Sequence, residues 1–237
     1  RRYGLRLLGN AYANYELIPG LDLRTSFGVD ARVQRVRNLD RPQPEYVEGN
    51  FIRSSEAREQ YEYQWTWTNT LTYAKTFNEV HNFKAYVGVE SIQQFEERFE
   101  ARRERYAFGT TNILSYLDLG DATTATNRGY VWQDYTLWSQ FGQLNYDYDG
   151  KYLAQVILRN DSSSRFQQAS RSAFFPAFSL GWRMSDEKFM DNVTWIDNLK
   201  LRYGWGKTGN QQIGDYNAYT TYRSDILTGG YPIDGST

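Results

Sequence analysis

Leu21-Asp22-Leu23-Arg24-Thr25-Ser26-Phe27-Gly28-Val29-Asp30-Ala31-Arg32-Val33-Gln34 alternates without a break. Its odd positions are Leu, Leu, Thr, Phe, Val, Ala and Val; its even positions are Asp, Arg, Ser, Gly, Asp, Arg and Gln. Successive side chains on a strand point to opposite faces, so this period makes one face apolar and the other polar or bare. A helix would scatter both sets around its surface. The period returns at 61–73, where Tyr61, Tyr63, Trp65, Trp67, Leu71 and Tyr73 alternate with Glu62, Gln64 and a series of Thr. It returns again at 83–90, with Phe83, Ala85, Val87 and Val89 set against Lys84, Tyr86, Gly88 and Glu90. Further strands are expected at 10–15, 133–148, 152–159, 173–182 and 199–208. In the second of these Tyr135, Leu137, Ser139 and Phe141 run in opposite phase to Leu144, Tyr146 and Tyr148, which predicts a bulge or a phase error between them. Pro176 cannot donate to a ladder and marks an irregular position in its strand.

Strand length narrows the architecture. Strands of soluble sandwiches usually run about 3–10 residues, whereas a fourteen-residue run reaches about 45 Å at about 3.3 Å per residue. That crosses a tilted outer-membrane path. The connections give a second signal. Pro19-Gly20, residues 77–82 and Asp149-Gly150-Lys151 make short turns, Asp-Gly being a strong hairpin signal. Between them lie long polar excursions, at 37–59, 96–129, 160–172 and from 209 onward. In an antiparallel meander all the short turns then fall at one end and all the long loops at the other, as in bacterial outer-membrane barrels. The segment 183–198 is the exception, and Ser185 is expected to cap a short helix there.

Composition removes other classes. The 237 residues include 27 Lys+Arg and 28 Asp+Glu, one His and no Cys, for a net charge of -1. Nucleic-acid binding needs a clear basic excess, so no nucleic-acid partner is expected. Thiolate catalysis, disulfides and Cys or His metal clusters are excluded. A mean hydropathy of -0.72 does not argue against a membrane protein of this kind, because barrel strands are apolar only at alternate positions. Aromatics such as Tyr12, Tyr15, Tyr61, Trp65, Trp67, Tyr146, Tyr152, Trp182 and Trp195 fall near the expected strand ends, where interfacial girdles form. The chain starts without Met or an apolar leader and reads as an internal piece of a longer protein.

Three motifs sharpen this reading. They are Arg159-Asn160-Asp161-Ser162-Ser163-Ser164-Arg165-Phe166, then Phe174-Phe175-Pro176-Ala177-Phe178-Ser179-Leu180-Gly181-Trp182-Arg183, then Asn198-Leu199-Lys200-Leu201-Arg202-Tyr203-Gly204 closing with Thr208-Gly209-Asn210. In this order they resemble the C-terminal barrel of the SusC/RagA-like, TonB-dependent outer-membrane transporters. Ser162 stands where the family pattern has Gly, and Ala177 where it has Ser. The resemblance is specific over 140–216 and looser over 7–95. It implies an all-β, antiparallel transmembrane β-barrel meander, a fragment of about eight strands from a barrel of about twenty-two. Residues 1–237 would be partial barrel, with the plug domain outside this chain. It also implies energy-coupled import of a glycan or peptide nutrient, with outer-membrane lipid, a SusD-like surface lipoprotein and TonB as partners. A passive porin or receptor of the same architecture and a soluble β-rich carbohydrate-binding module are the alternatives. Eight strands closing alone would crowd Arg, Asp and Glu into a narrow interior, so a wide or plugged lumen suits these polar faces better.

Apparent chemical motifs have plainer readings. Gly204-Trp205-Gly206-Lys207-Thr208-Gly209 fits a dinucleotide glycine pattern, but that site needs a buried parallel strand before it and a helix after it. The glycines are read instead as flattening a strand face for close packing. His81 is expected in an exposed turn. The mixed-charge run from Glu96 to Arg105 reads as a strand extending beyond the bilayer, in preference to a solvated helix. No two carboxylates are placed for acid/base chemistry, and no catalytic, cofactor or metal site is expected. Asp161, Arg165, Arg202, Asn210 and Tyr219 are the candidate loop or lumen contacts, with an Asp161–Arg165 ion pair as the structural alternative for the first two. Arg159 and Arg183 are expected to help fix the lumen or its rim.

Overall fold

Three tight reversals set the register. Asp149 and Gly150 hold positive φ values of 54° and 69°, the backbone hand that matches the twist of a hairpin. Asn78 and Glu79 do the same at 48° and 64°. Gly20, at φ 82°, follows Pro19, and a Cβ there would lie 2.6 Å from the Ala74 carbonyl oxygen. From these turns the alternating sequences pair outward. The computed structural model describes residues 1–40, 52–107 and 116–213. They contain strands β1 (Arg2–Ile18), β2 (Leu21–Asp40), β3 (Ser54–Phe77), β4 (His81–Glu104), β5 (Asp121–Tyr148), β6 (Tyr152–Ser163), β7 (Ser172–Arg183) and β8 (Lys200–Gly206). All eight form one antiparallel sheet in chain order. The sheet is open, with β1 and β8 as its edges.

The alternate positions sort as the sequence pattern expects. Leu5, Leu7, Phe27, Val29, Val33, Trp65, Leu71, Val87, Leu144, Val156, Phe178, Leu180 and Leu201 fall on one face by the cross-strand register. Among the described residues no second sheet covers that face, and Leu5 and Val87 remain 73% and 56% exposed. Trp65 and Trp67 satisfy their indole N–H groups within it, donating to Gln93 Oε1 and Thr25 Oγ1, each at 3.1 Å. The opposite face carries Asp30, Arg32, Gln64, Glu90, Gln143 and Arg159.

Several expectations change. Every long strand except β8 runs further than its hydrophobic pattern; β3 and β4 have 24 residues each. The charged run from Glu96 is strand through Glu104, as its preferred reading expects. No bulge separates Phe141 from Leu144, because β4 and β5 pair continuously there; Tyr135, Leu137 and Phe141 therefore lie on the polar face. The shift comes instead at Trp132, skipped between the pairs Glu96–Gln133 and Glu97–Val131. Pro176 pairs with Leu158 without a register shift, accommodated because its missing donor costs the ladder one bond and its carbonyl still accepts from Lys207 N at 3.0 Å. Ser185 caps nothing: it sits inside the 3₁₀ turn Met184–Asp186, and a second such turn spans Lys188–Met190. Because β3 is so long, Trp65 and Trp67 are mid-strand rather than near an end. Tyr12 is on the polar face, with the Arg24 guanidinium 4.5 Å from its ring centroid.

At the loop end, the 3₁₀ turn Leu117–Leu119 lies against β3 and β4. Arg103 Nη1 donates to the Asp118 carbonyl at 2.9 Å, and the Tyr106 hydroxyl donates to the Leu117 carbonyl at 3.0 Å. Burial pushes the Tyr106 hydroxyl above its ordinary pKa. Gly120 closes this contact, since a Cβ there would meet Arg103 Cβ at 2.7 Å.

Candidate functional site on the polar face

The sheet's alternation delivers charged side chains from neighbouring strands to the same face, and over most of that face they neutralise one another. Arg6 meets Asp30 at 2.6 Å, Arg32 meets Glu62 at 3.4 Å, and Arg58 meets Glu100 at 2.7 Å. Arg98 meets Glu96 at 2.6 Å, with Glu96 itself buried. Arg159 on β6 anchors the centre: it reaches Asp161 at 2.7 Å, Glu90 at 3.4 Å and the Ser139 hydroxyl at 2.9 Å. Thr68 donates to the other oxygen of Glu90 at 3.1 Å. Linked pairs of this kind hold long side chains in one geometry better than isolated ion pairs do.

The out-of-phase aromatics of β5 are the floor of this network. The Arg159 guanidinium lies 5.6 Å from the Phe141 ring centroid, Arg165 lies 3.7 Å from Tyr135, and Arg98 lies 4.1 Å from Trp132. Flat guanidinium groups stack on aromatic faces while keeping their edges for carboxylates. Phe141 in turn rests on Gly88 of β4, where a Cβ would come within 2.6 Å of its ring. Tyr135 and Phe141 stand out of phase in the sequence, and that reversed phase was the visible signal that they belong to the polar side; Trp132 shares the phase of Leu144 and gives no such signal, because it reaches this face only through the register shift at its own position.

The candidate residues are not gathered in one place. Asp161 is in the sheet rather than a loop, and its partner is Arg159, not Arg165. Arg165 is 8% exposed, clamped on Tyr135, with Nη1 donating to the Gln211 carbonyl at 3.3 Å. Asn210 Oδ1 accepts locally from Gln212 N at 2.8 Å. Tyr219 lies outside the described residues. Arg183 reaches Asp186 at 3.3 Å at the turn end. His81 is not in a turn but opens β4, half-buried, with Nδ1 2.7 Å from the Tyr146 hydroxyl.

Arg202 belongs to a different setting. With Lys84, Lys200, Asn145 and Gln155 it lines a groove of about 660 Å³ at the turn end. Neither Lys84, Lys200 nor Arg202 has an ion-pair partner among the described residues. Asp147, also at this groove, accepts from the Gly150 amide at 2.7 Å. The polar face thus carries a self-neutralised network toward its loop half and, at this groove on the turn end, three cations without ion-pair partners among the described residues. The glycine pattern at 204–209 begins on β8, an antiparallel edge strand, so the parallel-strand geometry of a dinucleotide site is not built here. Gly206 packs on Ala177, where a Cβ would lie 2.9 Å from that side chain. Among the described residues no three His, Cys, Asp or Glu side chains gather to hold a metal ion, and no helix is long and apolar enough to cross a membrane.

A single antiparallel sheet of long strands, two-faced throughout, defines the class by its fold: an all-β wall. Comparison with known proteins makes it particular. No protein-family model matches the chain. TonB-dependent receptor P3 of Formosa agariphila is 34% identical over 223 residues, covering 91% of this chain and 21% of that protein. TonB-dependent receptor SusC of Bacteroides thetaiotaomicron is 34% identical over 160 residues, covering 68% of this chain and 15% of that protein. The structure of the RagAB peptide importer in its 'open-open' state matches with a TM-score of 0.79 and 27% identity, covering 91% of this chain and 23% of that one. The chain spans about a fifth of the length of the curated relatives it matches. By sequence and by fold it belongs with the SusC/RagA-like TonB-dependent outer-membrane transporters.

Proposed function

We propose that the chain is part of the β-barrel wall of a TonB-dependent importer, carrying a glycan or peptide nutrient across the bacterial outer membrane. The observation that carries this reading is the sheet's two-facedness: an apolar side left bare and a polar side of linked ion pairs. From Leu21 to Val33 the apolar side of β2 extends about 40 Å along the strand, or about 28 Å across a bilayer at a tilt of about 45°. That matches the apolar band of outer-membrane barrels, about 25 Å tall. Tyr73, Phe83, Tyr146, Tyr148 and Tyr152 lie at the turn end of this side and Tyr3, Tyr61 and Phe95 at the loop end, as interfacial girdles do.

In this reading the apolar face meets lipid and the polar face lines a wide lumen of a barrel of about twenty-two strands. The plug and the region that engages TonB lie outside residues 1–237, the chain occupies the C-terminal part of the barrel, and a SusD-like lipoprotein covers the loop end. Asp161 and Arg165 then brace the lumen and rim from within the protein. Arg202 remains open to contact, and Asn210 belongs to the outer opening; Tyr219, a candidate contact in the sequence, lies outside the described residues. The RagAB importer's peptide cargo supports peptides as one of the two cargo classes.

The test is deletion of the full-length gene in its own organism, followed by uptake assays on panels of oligosaccharides and peptides. Loss of uptake of one class, restored by the wild-type gene and abolished by a protonophore, is the expected result. Uptake that survives collapse of the proton gradient would instead identify a passive porin. Recovery of native protein in aqueous fractions without detergent would identify a soluble binding module.

A further inference from the structure

The bare face does not end in neutral residues everywhere. At the loop end of β1 and β2 its cross-strand pairs run Leu7–Ala31, Leu5–Val33, Tyr3–Arg35 and then Arg1 beside Arg37. Arg1 and Arg37 are directly opposed, because the Arg1 α-amino nitrogen donates to the Arg37 carbonyl at 2.6 Å and the Arg37 amide donates to the Arg1 carbonyl at 2.8 Å. Like charges placed opposite one another across a strand pair destabilise it. Arg35, on the same face, is 2.7 Å from Glu59; neither the Arg1 nor the Arg37 side chain has an ion-pair partner among the described residues. Arg1, Arg35 and Arg37, with Tyr3, Leu5 and Val33, line a groove of about 540 Å³. Three guanidinium groups with one carboxylate between them leave this corner cationic, on the side of the sheet opposite the ion-paired network.

We infer that this groove holds a phosphorylated, acylated lipid of the outer leaflet. A phosphate bridging Arg1 and Arg37 removes their repulsion and accepts paired N–H donors from planar guanidinium forks. The groove continues downward onto Leu5 and Val33, exposed apolar side chains that a free anion would leave wet and an acyl chain would cover. Charge and oil thus meet at one place in the order in which such a lipid presents them. The inference rests on the reading that the apolar face meets lipid with the loop end outward.

The experiment uses the full-length protein purified from its outer membrane, as wild type, as Arg37→Ser, and as the double variant Arg1→Ser/Arg37→Ser. Arg1 is exposed and Arg37 half-buried, and folding is checked by heat-modifiable gel migration. Each is titrated in detergent with bis-phosphorylated lipid A, with its dephosphorylated form and with inorganic phosphate, and bound lipid is read by native mass spectrometry. Wild type is expected to retain the phosphorylated lipid several-fold better than the dephosphorylated one, the double variant is expected to lose that preference, and Arg37→Ser to fall between. Equal retention of the two lipids, or a folded double variant that keeps the preference, overturns the inference. So does displacement of the lipid by inorganic phosphate at equal concentration, which would mark a free-anion site. A protein that fractionates with the outer membrane yet shows no phosphate preference defeats this inference alone; one that is absent from the outer membrane defeats the reading beneath it.

Discussion

Gly88 shows how much one missing methyl can organise. Phe141 lies over it, Tyr86 meets the same ring edge-on at a centroid distance of 6.0 Å, and Arg159 stacks on it while holding Glu90 and Asp161. Gly88→Ala should cost about 1–3 kcal/mol through overpacking, and Phe141→Leu in the same protein should restore part of that loss. Urea unfolding of the full-length protein in lipid vesicles, run as a double-mutant cycle, measures both; additive effects would show that Gly88 and Phe141 do not act as a pair. The contact was half legible beforehand. Phe141 stood out of phase with Leu144, but a single sequence does not say whether the phase or the strand is at fault. The answer depended on Gly88 in another strand, 53 positions earlier in the chain.

At the scale of elements, periodicity located all eight strands and missed how far they run. Beyond Tyr61 on β3 and Gln94 on β4 the pattern becomes charge against charge, and hydrophobic alternation has nothing left to report. Pairing continues because Arg58 meets Glu100 across the two strands, while Arg98 meets Glu96 within β4 and Arg58 meets Glu56 within β3. The turn-side segment after β7 was misread for a related reason: Ser185 has the chemistry of a cap, but the chain is held by longer-range bonds. Glu187 accepts from the Tyr152 hydroxyl at 2.6 Å and from Trp182 Nε1 at 3.0 Å, and the first of these chiefly keeps its carboxyl below its usual value of 4.5. A carboxylate lowered in this way contributes stability above that usual value, and the contribution fades as pH falls through the lower folded one. Acidification should therefore loosen this segment from β6 and β7, seen as a change in Trp182 emission below about pH 4. Glu187→Gln should flatten that pH response; an unchanged titration would show that the tether lies elsewhere.

For the whole molecule, the two faces of the sheet make opposite demands on the same substitution. Val29→Arg on the bare side should cost up to about 2–4 kcal/mol if it meets the middle of a bilayer. Gln64→Arg, across the sheet from it, joins a polar surface and should change stability by no more than about 0.5 kcal/mol. Folding free energies in vesicles decide this, and equal costs for the two would reverse or abolish the assigned orientation. The faces were readable in the sequence because each is written at every second residue. The paired cations and carboxylates were not, because the partners come from different strands in a register that only the turns fix. The long ribbon of β3 and β4 has a consequence of its own. Its far end, braced by Leu117–Leu119 through Arg103 and Tyr106, stands as a stiff post. Binding to a slack loop loses affinity to the freezing of many rotors, whereas a preorganised post has little freedom left to surrender. Whatever settles on that end should thus be held or released according to the chemistry of its contacts, with dissociation rates responding to individual side chains.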